Sequence, residues 1–251
     1  GYDYVFTDTP ASINLKGRAA TTVGVNVGVM WDISSRWTVG ASFRSKMNLT
    51  VKSGDASVKY ANEIAESLLT EKLNILNQAN FTSTMPAVAV LNLGVSYKAL
   101  DALVLAFDLQ WNGWSAYNSL DIDFLSQTLA PYNQHLEKNY HNSLTYRLGA
   151  QYSVSKRFDV RAGMMIDTSP VNNEYYNPET PGMTKIEPSV GFSFSPISNF
   201  AIDATLQYVA GVGTDGRTCV YKDLLTNNDR IFRADYSVYA WNPSIGLRFS
   251  F

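Results

Sequence analysis

No stretch of about 18 consecutive apolar residues occurs in these 251, and without one a bundle of membrane-spanning helices is excluded. Charge is also sparse: Asp, Glu, Lys and Arg make up 17% of the chain, against about 25% in an average soluble domain. The formal net charge is −2 and no basic block stands out, so there is no electrostatic footprint for nucleic acid and that class is discarded. A single cysteine, Cys219, cannot close an internal disulfide, which excludes a disulfide-stapled scaffold and leaves a loop thiol. Histidine occurs only at His135 and His141, with no cysteine near them and no helical i, i+4 spacing. No metal site and no cofactor are expected. Gly1 to Pro10 hold no basic region followed by an apolar stretch, so any export signal is expected to have been removed or to belong to upstream sequence.

What the chain does have is alternation with a period of two, the signature of strands with unlike faces. Leu103, Leu105, Phe107, Leu109 and Trp111 share one face, and Val104, Ala106, Asp108, Gln110 and Asn112 the other. Leu144, Tyr146, Leu148, Ala150, Tyr152 and Val154 alternate with Thr145, Arg147, Gly149, Gln151 and Ser153. Val160, Ala162, Met164 and Ile166 interleave with Asp159, Arg161, Gly163 and Asp167, and Phe200, Ile202, Ala204, Leu206 and Tyr208 repeat the pattern. The same test gives nine strands, at 15–33, 36–53, 81–98, 101–123, 140–154, 157–167, 184–195, 199–213 and 232–251.

Their connections alternate in length. Turns near Ser34-Ser35, Ala99-Leu100, Ser155-Lys156 and Pro196–Asn199 are tight, whereas the loops 54–80, 124–139, 168–183 and 214–231 are several times longer. An up-and-down meander places all the short turns at one end and all the long loops at the other, as in bacterial outer-membrane barrels with periplasmic turns and extracellular loops. A Greek-key sandwich has no reason to sort its connections in this way. The expected fold is therefore an all-β, antiparallel, up-and-down transmembrane β-barrel, in one domain over 1–251.

The last strand supports this reading, because Trp241, Pro243, Ile245, Leu247, Phe249 and Phe251 share a face and the sequence ends on Phe251. A terminal aromatic of this kind resembles the recognition signal read by the outer-membrane barrel assembly machinery, an expected partner. Tyr239, Trp241, Trp31, Trp37, Trp111 and Trp114 fall toward strand ends, where aromatic girdles meet the membrane interfaces. Ordinary packed aromatics are the alternative. Turning the strands inside out would point Arg147, Arg161, Arg248, Asp159 and Asp203 at lipid, at roughly 2 to 4 kcal/mol for each midplane Arg. The ionic residues are accordingly expected to line the interior, with outer-membrane lipid against the apolar face. Nine strands ending in the periplasm leave at least one upward strand unaccounted for unless Tyr2 to Phe6 supply it, so the residues are expected to be the C-terminal portion of a larger barrel.

Specific residues then resemble a family, the FadL/TodX outer-membrane transporters of long-chain fatty acids and other hydrophobic compounds. The stretch Leu144 to Val171, LTYRLGAQYSVSKRFDVRAGMMIDTSPV, is similar to that family's paired strands ending in a D-x-S-P-V turn, with Arg161, Gly163, Asp167, Ser169, Pro170 and Val171 in the matching places. FDLQWNGWSAYNSL, from Phe107 to Leu120, resembles its strand with two tryptophans three residues apart followed by serine, here Trp111, Trp114 and Ser115. Met85-Pro86 sits where the family places Leu-Pro, and LKGRAATTVGVNVGVMWDISSRWTVGASFRSKMNLTVKSG resembles the hairpin before its fourth extracellular loop. The resemblance implies a fourteen-stranded barrel closed by an N-terminal hatch, with substrate captured outside and released sideways through the wall. The hatch and the first strands, including the kinked strand to which the lateral exit is attributed, are not among these residues.

Two groups of candidate site residues follow. In 54–80, Ala61, Ile64, Ala65, Leu68, Leu69, Ile75 and Leu76 recur at helical spacing, with Glu63 and Glu66 near the start and Lys72 near the end. They predict a short extracellular loop helix, and the family uses such helices as an apolar landing groove for fatty acids. Packing onto the barrel mouth or another loop is the alternative. Arg44, Arg147, Arg161 and Arg248 on the lumen face can meet a carboxylate head group through the guanidinium fork. Pairing with Asp108, Asp159, Asp167 and Asp203 is the structural alternative.

Enzyme-like patterns do not hold. Gly211, Gly213 and Gly216 spell G-x-G-x-x-G after an antiparallel strand, with no helix following. Asp121 and Asp123 could touch a calcium ion together with loop carbonyls, but two carboxylates alone are weak evidence for one, and no G-x-S-x-G elbow occurs. The expected function is passive uptake of hydrophobic small molecules across the outer membrane of a Gram-negative bacterium, without catalysis. A surface receptor or adhesin acting through extracellular loops is the runner-up, and a membrane-embedded hydrolase the third reading.

Overall fold

The structure is a computed structural model that describes residues 11–73, 78–127, 129–176, 182–213, 215–222 and 228–250. In chain order its elements begin β1 (Ala11–Lys16), β2 (Asn26–Asp32), β3 (Trp37–Arg44), β4 (Met47–Tyr60), α1 (Glu63–Leu73), β5 (Gln78–Ala87), β6 (Val90–Leu100), β7 (Leu103–Asn112), β8 (Ser119–Phe124) and β9 (Gln134–Glu137). They continue with β10 (Ser143–Ser155), β11 (Phe158–Asp167), β12 (Thr184–Ile197), β13 (Phe200–Val212), β14 (Arg217–Lys222), β15 (Asp229–Ala234) and β16 (Tyr239–Phe249). Nine strands form one antiparallel wall in the order β16-β13-β12-β11-β10-β7-β6-β3-β2.

Each wall strand separates its side chains as the alternation predicts. Across β10 and β11, Tyr146 stands opposite Ile166, Leu148 opposite Met164 and Ala150 opposite Ala162. This apolar face carries Leu148 and Val190, each 60% exposed, an area of hydrocarbon that water would not tolerate but lipid accepts. The other face carries Asp108 opposite Arg147, Gln151 opposite Arg161 and Ser193 opposite Asp203. Trp37 stacks on Tyr97 at 4.3 Å at the short-turn end, while Trp241 lies against Tyr208 at 4.6 Å toward the long-loop end. Aromatic rings thus mark both margins of the apolar band.

The first four predicted strands are each two strands. Those expected at 15–33, 36–53, 81–98 and 101–123 break into β1 and β2, β3 and β4, β5 and β6, and β7 and β8. Beyond the break the chain enters a second, five-stranded sheet ordered β1-β4-β5-β8-β9, which repeats the neighbour relations of the wall below it. Neighbouring breaks are bonded to one another. Val25 N donates to Ser45 Oγ at 2.9 Å and Ser45 N to Val25 O at 2.9 Å, and Gly113 N donates to Ala89 O at 2.9 Å. The seam is closely packed: a Cβ on Gly24 would lie 2.4 Å from the Met47 sulfur, so a larger residue there would displace the Met47 side chain. Alternation does not register such a break, because both halves keep a period of two.

Three expected loops are correspondingly more ordered. β4 continues to Tyr60 and β5 begins at Gln78, so the connection of 54–80 shrinks to the segment around α1. β9 occupies part of 124–139, and β14, inside 214–231, pairs with β15 in a separate hairpin that runs on to Ala234. The last predicted strand, 232–251, likewise divides, its first residues ending β15 and its wall portion starting at Tyr239. Phe251 lies outside the described residues.

Candidate functional site

The long-loop end holds the buried core among the described residues. Tyr117, Tyr140, Val171, Tyr176 and Met183 are buried together, with Trp114, Leu120 and Tyr236 packed against them. These residues come from four separate connections and from β8, and ring contacts join them: Tyr117 to Tyr140 at 5.3 Å, Trp114 to Tyr140 at 6.0 Å and Tyr176 to Tyr236 at 4.8 Å. The Arg217 guanidinium stands 5.6 Å from the Tyr176 ring centre, within reach of a cation–π contact. Backbone bonds tie the same segments, with Tyr140 N donating to Tyr117 O at 3.2 Å, His141 N to Pro170 O at 2.9 Å and Tyr176 N to Thr218 O at 3.0 Å. Trp114, expected in a girdle, instead belongs to this cluster. Alternation along the strands does not reveal this cluster; the signal for it is the tyrosines scattered through the connections, because an amphipathic ring in a loop needs a partner to bury its body.

The helix predicted in 54–80 is present as α1. Asn62 caps it, its Oδ1 accepting from Ala65 N at 2.8 Å, and Glu63 and Glu66 complement the positive end of the helix dipole. The structure divides the predicted landing face. Ala65 is fully buried, Leu68 is half-buried and Ile64 is 63% exposed. Leu69 belongs to the helix, but its side chain lies outside the description, as do Ile75 and Leu76 altogether. Alanine at the buried position lets the helix approach β4, and the larger Ile64 is left facing outward.

Below, the lumen arginines differ in their partners. Arg161 donates from Nε to Gln151 Oε1 at 2.8 Å and from Nη1 to Asp203 Oδ1 at 3.2 Å, so its fork is occupied within the wall. Arg147 stands opposite Asp108 but donates to the neutral Gln110 Oε1 at 3.0 Å. Asp167, expected to pair with an arginine, accepts from Thr145 Oγ1 at 2.7 Å and lies 3.6 Å from Lys185 Nζ. Arg44 lines a polar recess at the seam with Asn26, Asn92, Gln110 and Asn112. Arg147 and Arg44 therefore keep more of their hydrogen-bonding capacity for a ligand than Arg161 does.

On the second sheet, Asp121 accepts from Ser119 Oγ at 2.7 Å and contacts His135 Nδ1. The Ser119 hydroxyl holds its carboxyl below the usual carboxylate range, burial opposes this, and His135 adds to the lowering. A depressed folded-state value stabilises the β8–β9 pair above the ordinary carboxylate range, and the contribution is lost as pH falls through the lowered value. Ser119→Ala should therefore move the Asp121 titration upward, as read by its carboxyl carbon shift in NMR. An unmoved midpoint would remove the hydroxyl as the main cause.

Comparison with known proteins agrees with this architecture. Residues 6–251 match the family model described as outer membrane protein transport protein (OMPP1/FadL/TodX). An outer membrane protein of Neisseria meningitidis serogroup B is 27% identical over 203 residues, which are 78% of this chain and 43% of that protein. The crystal structure of a Pseudomonas aeruginosa FadL homologue superposes with a TM-score of 0.79 at 19% identity, over 90% of this chain and 52% of that one. The Pseudomonas putida toluene transporter TodX gives a TM-score of 0.57 at 15% identity, over 91% and 49%. The chain thus spans about half the length of the relatives it matches.

Proposed function

This chain belongs to the OMPP1/FadL/TodX family of outer membrane transport proteins, and from that premise we propose that it forms part of a passive route for long-chain fatty acids or similar hydrophobic molecules. The observation that carries the reading is the two-faced wall, apolar toward lipid and ionic toward the interior, with an ordered assembly of loops over one end. In this proposal the long connections face the medium and the short turns the periplasm. About five further strands join β2 to β16 to close the fourteen-stranded wall that the family resemblance implies, and Phe251 is read by the barrel assembly machinery.

A fatty acid would first meet the exposed part of α1 at Ile64 and Leu68, with Ala65 setting the helix against the sheet. Its carboxylate would then pass to Arg147, whose neutral partner leaves the guanidinium able to form a second, charge-assisted bond. Arg161 would serve mainly to hold Asp203. Transport by this route needs no covalent step. Replacing Ile64, Leu68 and Leu69 with Ser in the intact protein removes about 2 kcal/mol of apolar contact for each fully engaged side chain. Fatty-acid binding should weaken by at least tenfold in a fluorescent-probe titration; unchanged affinity would eliminate α1 as the landing site.

The second reading, a surface receptor or adhesin, is favoured by the five-stranded sheet standing on the wall. Uptake of radiolabelled fatty acid by cells carrying the intact gene separates the two. Accumulation above cells lacking the gene is expected for transport, and equal accumulation would leave the receptor reading.

A further inference from the structure

The outer face of the wall is not uniformly bulky. Ala150 on β10 stands directly opposite Ala162 on β11, and Ala204 on β13 lies opposite Phe192 on β12. The three alanines floor a groove flanked by Tyr152, Phe158 and Phe192, with Phe158 and Phe192 at 5.9 Å between ring centres. Its volume of ≈ 640 Å³ lies within the range of roughly 300–1,000 Å³ typical of ligand pockets, larger than the roughness between neighbouring side chains. Its surroundings are almost wholly apolar, and it sits on the face that meets hydrocarbon.

At the foot of the groove the chain turns through Lys156 and Arg157, between β10 and β11 and next in sequence to Phe158. The turn is pinned: Arg157 N donates to Ser155 Oγ at 3.2 Å, and Ser195 N of the adjoining strand donates to Arg157 O at 2.8 Å. Both cationic side chains are exposed, and no carboxylate pairs with either among the described residues. An apolar groove that ends beside a backbone-pinned turn carrying two exposed cations with no carboxylate partner among the described residues suits a lipid with an anionic head group.

We propose that this groove, with Lys156 and Arg157 at its foot, holds one anionic glycerophospholipid. An acyl chain lies over Ala150, Ala162 and Ala204, and the phosphate meets the two cations at the short-turn end. The aromatic flanks confine the chain, and the pinned turn fixes the spacing between chain and charge. This inference depends on which face of the wall meets lipid and not on the transported substrate.

The test uses the intact protein in detergent, titrated with phosphatidylglycerol or phosphatidylcholine of identical acyl chains and read by native mass spectrometry. Each cation near a membrane surface contributes about fivefold, so the first phosphatidylglycerol should bind about 30-fold more tightly than phosphatidylcholine. K156Q/R157Q should bring the two lipids to parity, because only the head-group contact is lost. Ala162→Phe should fill the groove and weaken both lipids together. Equal binding of the two lipids by the unaltered protein would overturn the proposal, as would a preference that survives K156Q/R157Q. Should Ala162→Phe fail to fold, the turn substitutions, which touch no buried side chain, still decide the matter. Fatty-acid uptake that persists while lipid preference fails would leave the transport reading intact and remove this one.

Discussion

Leu148→Arg in the intact protein is expected to destabilise the folded barrel by roughly 2 to 4 kcal/mol, while Ser96→Arg leaves its stability nearly unchanged. Leu148 lies near the middle of β10, between Phe107 on β7 and Met164 on β11, on the face that meets lipid. An arginine at the bilayer midplane costs roughly 2 to 4 kcal/mol on that face, a large share of the about 5 to 15 kcal/mol that holds a typical domain folded. Ser96 stands opposite Thr38 and Ala106 on the polar face, where an added guanidinium stays solvated. Heat-modifiable migration on gels, with urea titration in vesicles, measures both. If the two variants lost stability equally, or if Leu148→Arg cost nothing, the assignment of faces would be wrong and the membrane reading would fail with it.

The second large effect concerns the aromatic core over the mouth. Tyr176 is 2% exposed, lies against the Tyr236 ring and the Arg217 guanidinium, and donates its N–H to Thr218 O. Truncating a buried aromatic ring to alanine typically costs about 3 to 5 kcal/mol, and here the loss falls on the loops because the wall strands keep their own ladders. Tyr176→Ala should thus raise protease cleavage in 168–183 and 214–231 by about 100-fold or more, the equivalent of 3 kcal/mol in the opening equilibrium, with barrel migration unchanged.

Tyr176→Phe separates ring from hydroxyl. The Tyr176 Oη is buried without a hydrogen-bond partner among the described residues, and burial pushes the phenol above its ordinary value. Deleting an unsatisfied polar group removes a desolvation cost, so the phenylalanine variant should resist protease at least as well as the parent. If both variants opened the loops alike, the hydroxyl would be bonded in solution, and the packing account of this cluster would need revision.

Much of the wall was legible in the residues because a bilayer imposes a rule on every position. Each side chain of a spanning strand faces either hydrocarbon or the interior, and charge on the wrong side is costly. Arg147, Arg161 and Asp203 therefore announce their face, and β10 to β13 fall close to the expected 140–154, 157–167, 184–195 and 199–213. The helix of 54–80 was legible too, since apolar residues recur there at helical spacing with Glu63 and Glu66 near the start and Lys72 near the end. The division of its face was not. Whether Ala65 or Ile64 turns inward depends on how closely β4 approaches, and no local pattern carries that distance. The lumen partners were half legible: opposite signs predicted pairing, but the cross-strand register gave Gln110 to Arg147 and Asp203 to Arg161.

By itself, the sequence determined that the chain is an antiparallel wall with one face for lipid, nine strands in that wall, and short turns at one end, because alternation and solvation are properties of single residues and their neighbours. Only the tertiary structure decided that four of those strands bend into a second sheet and that tyrosines from distant connections meet over the mouth. It also decided that three alanines hollow the outer wall above Lys156 and Arg157. These features arise from contacts between segments remote along the chain, and the register of one strand against the next, which places such segments together, is set by the assembled sheet.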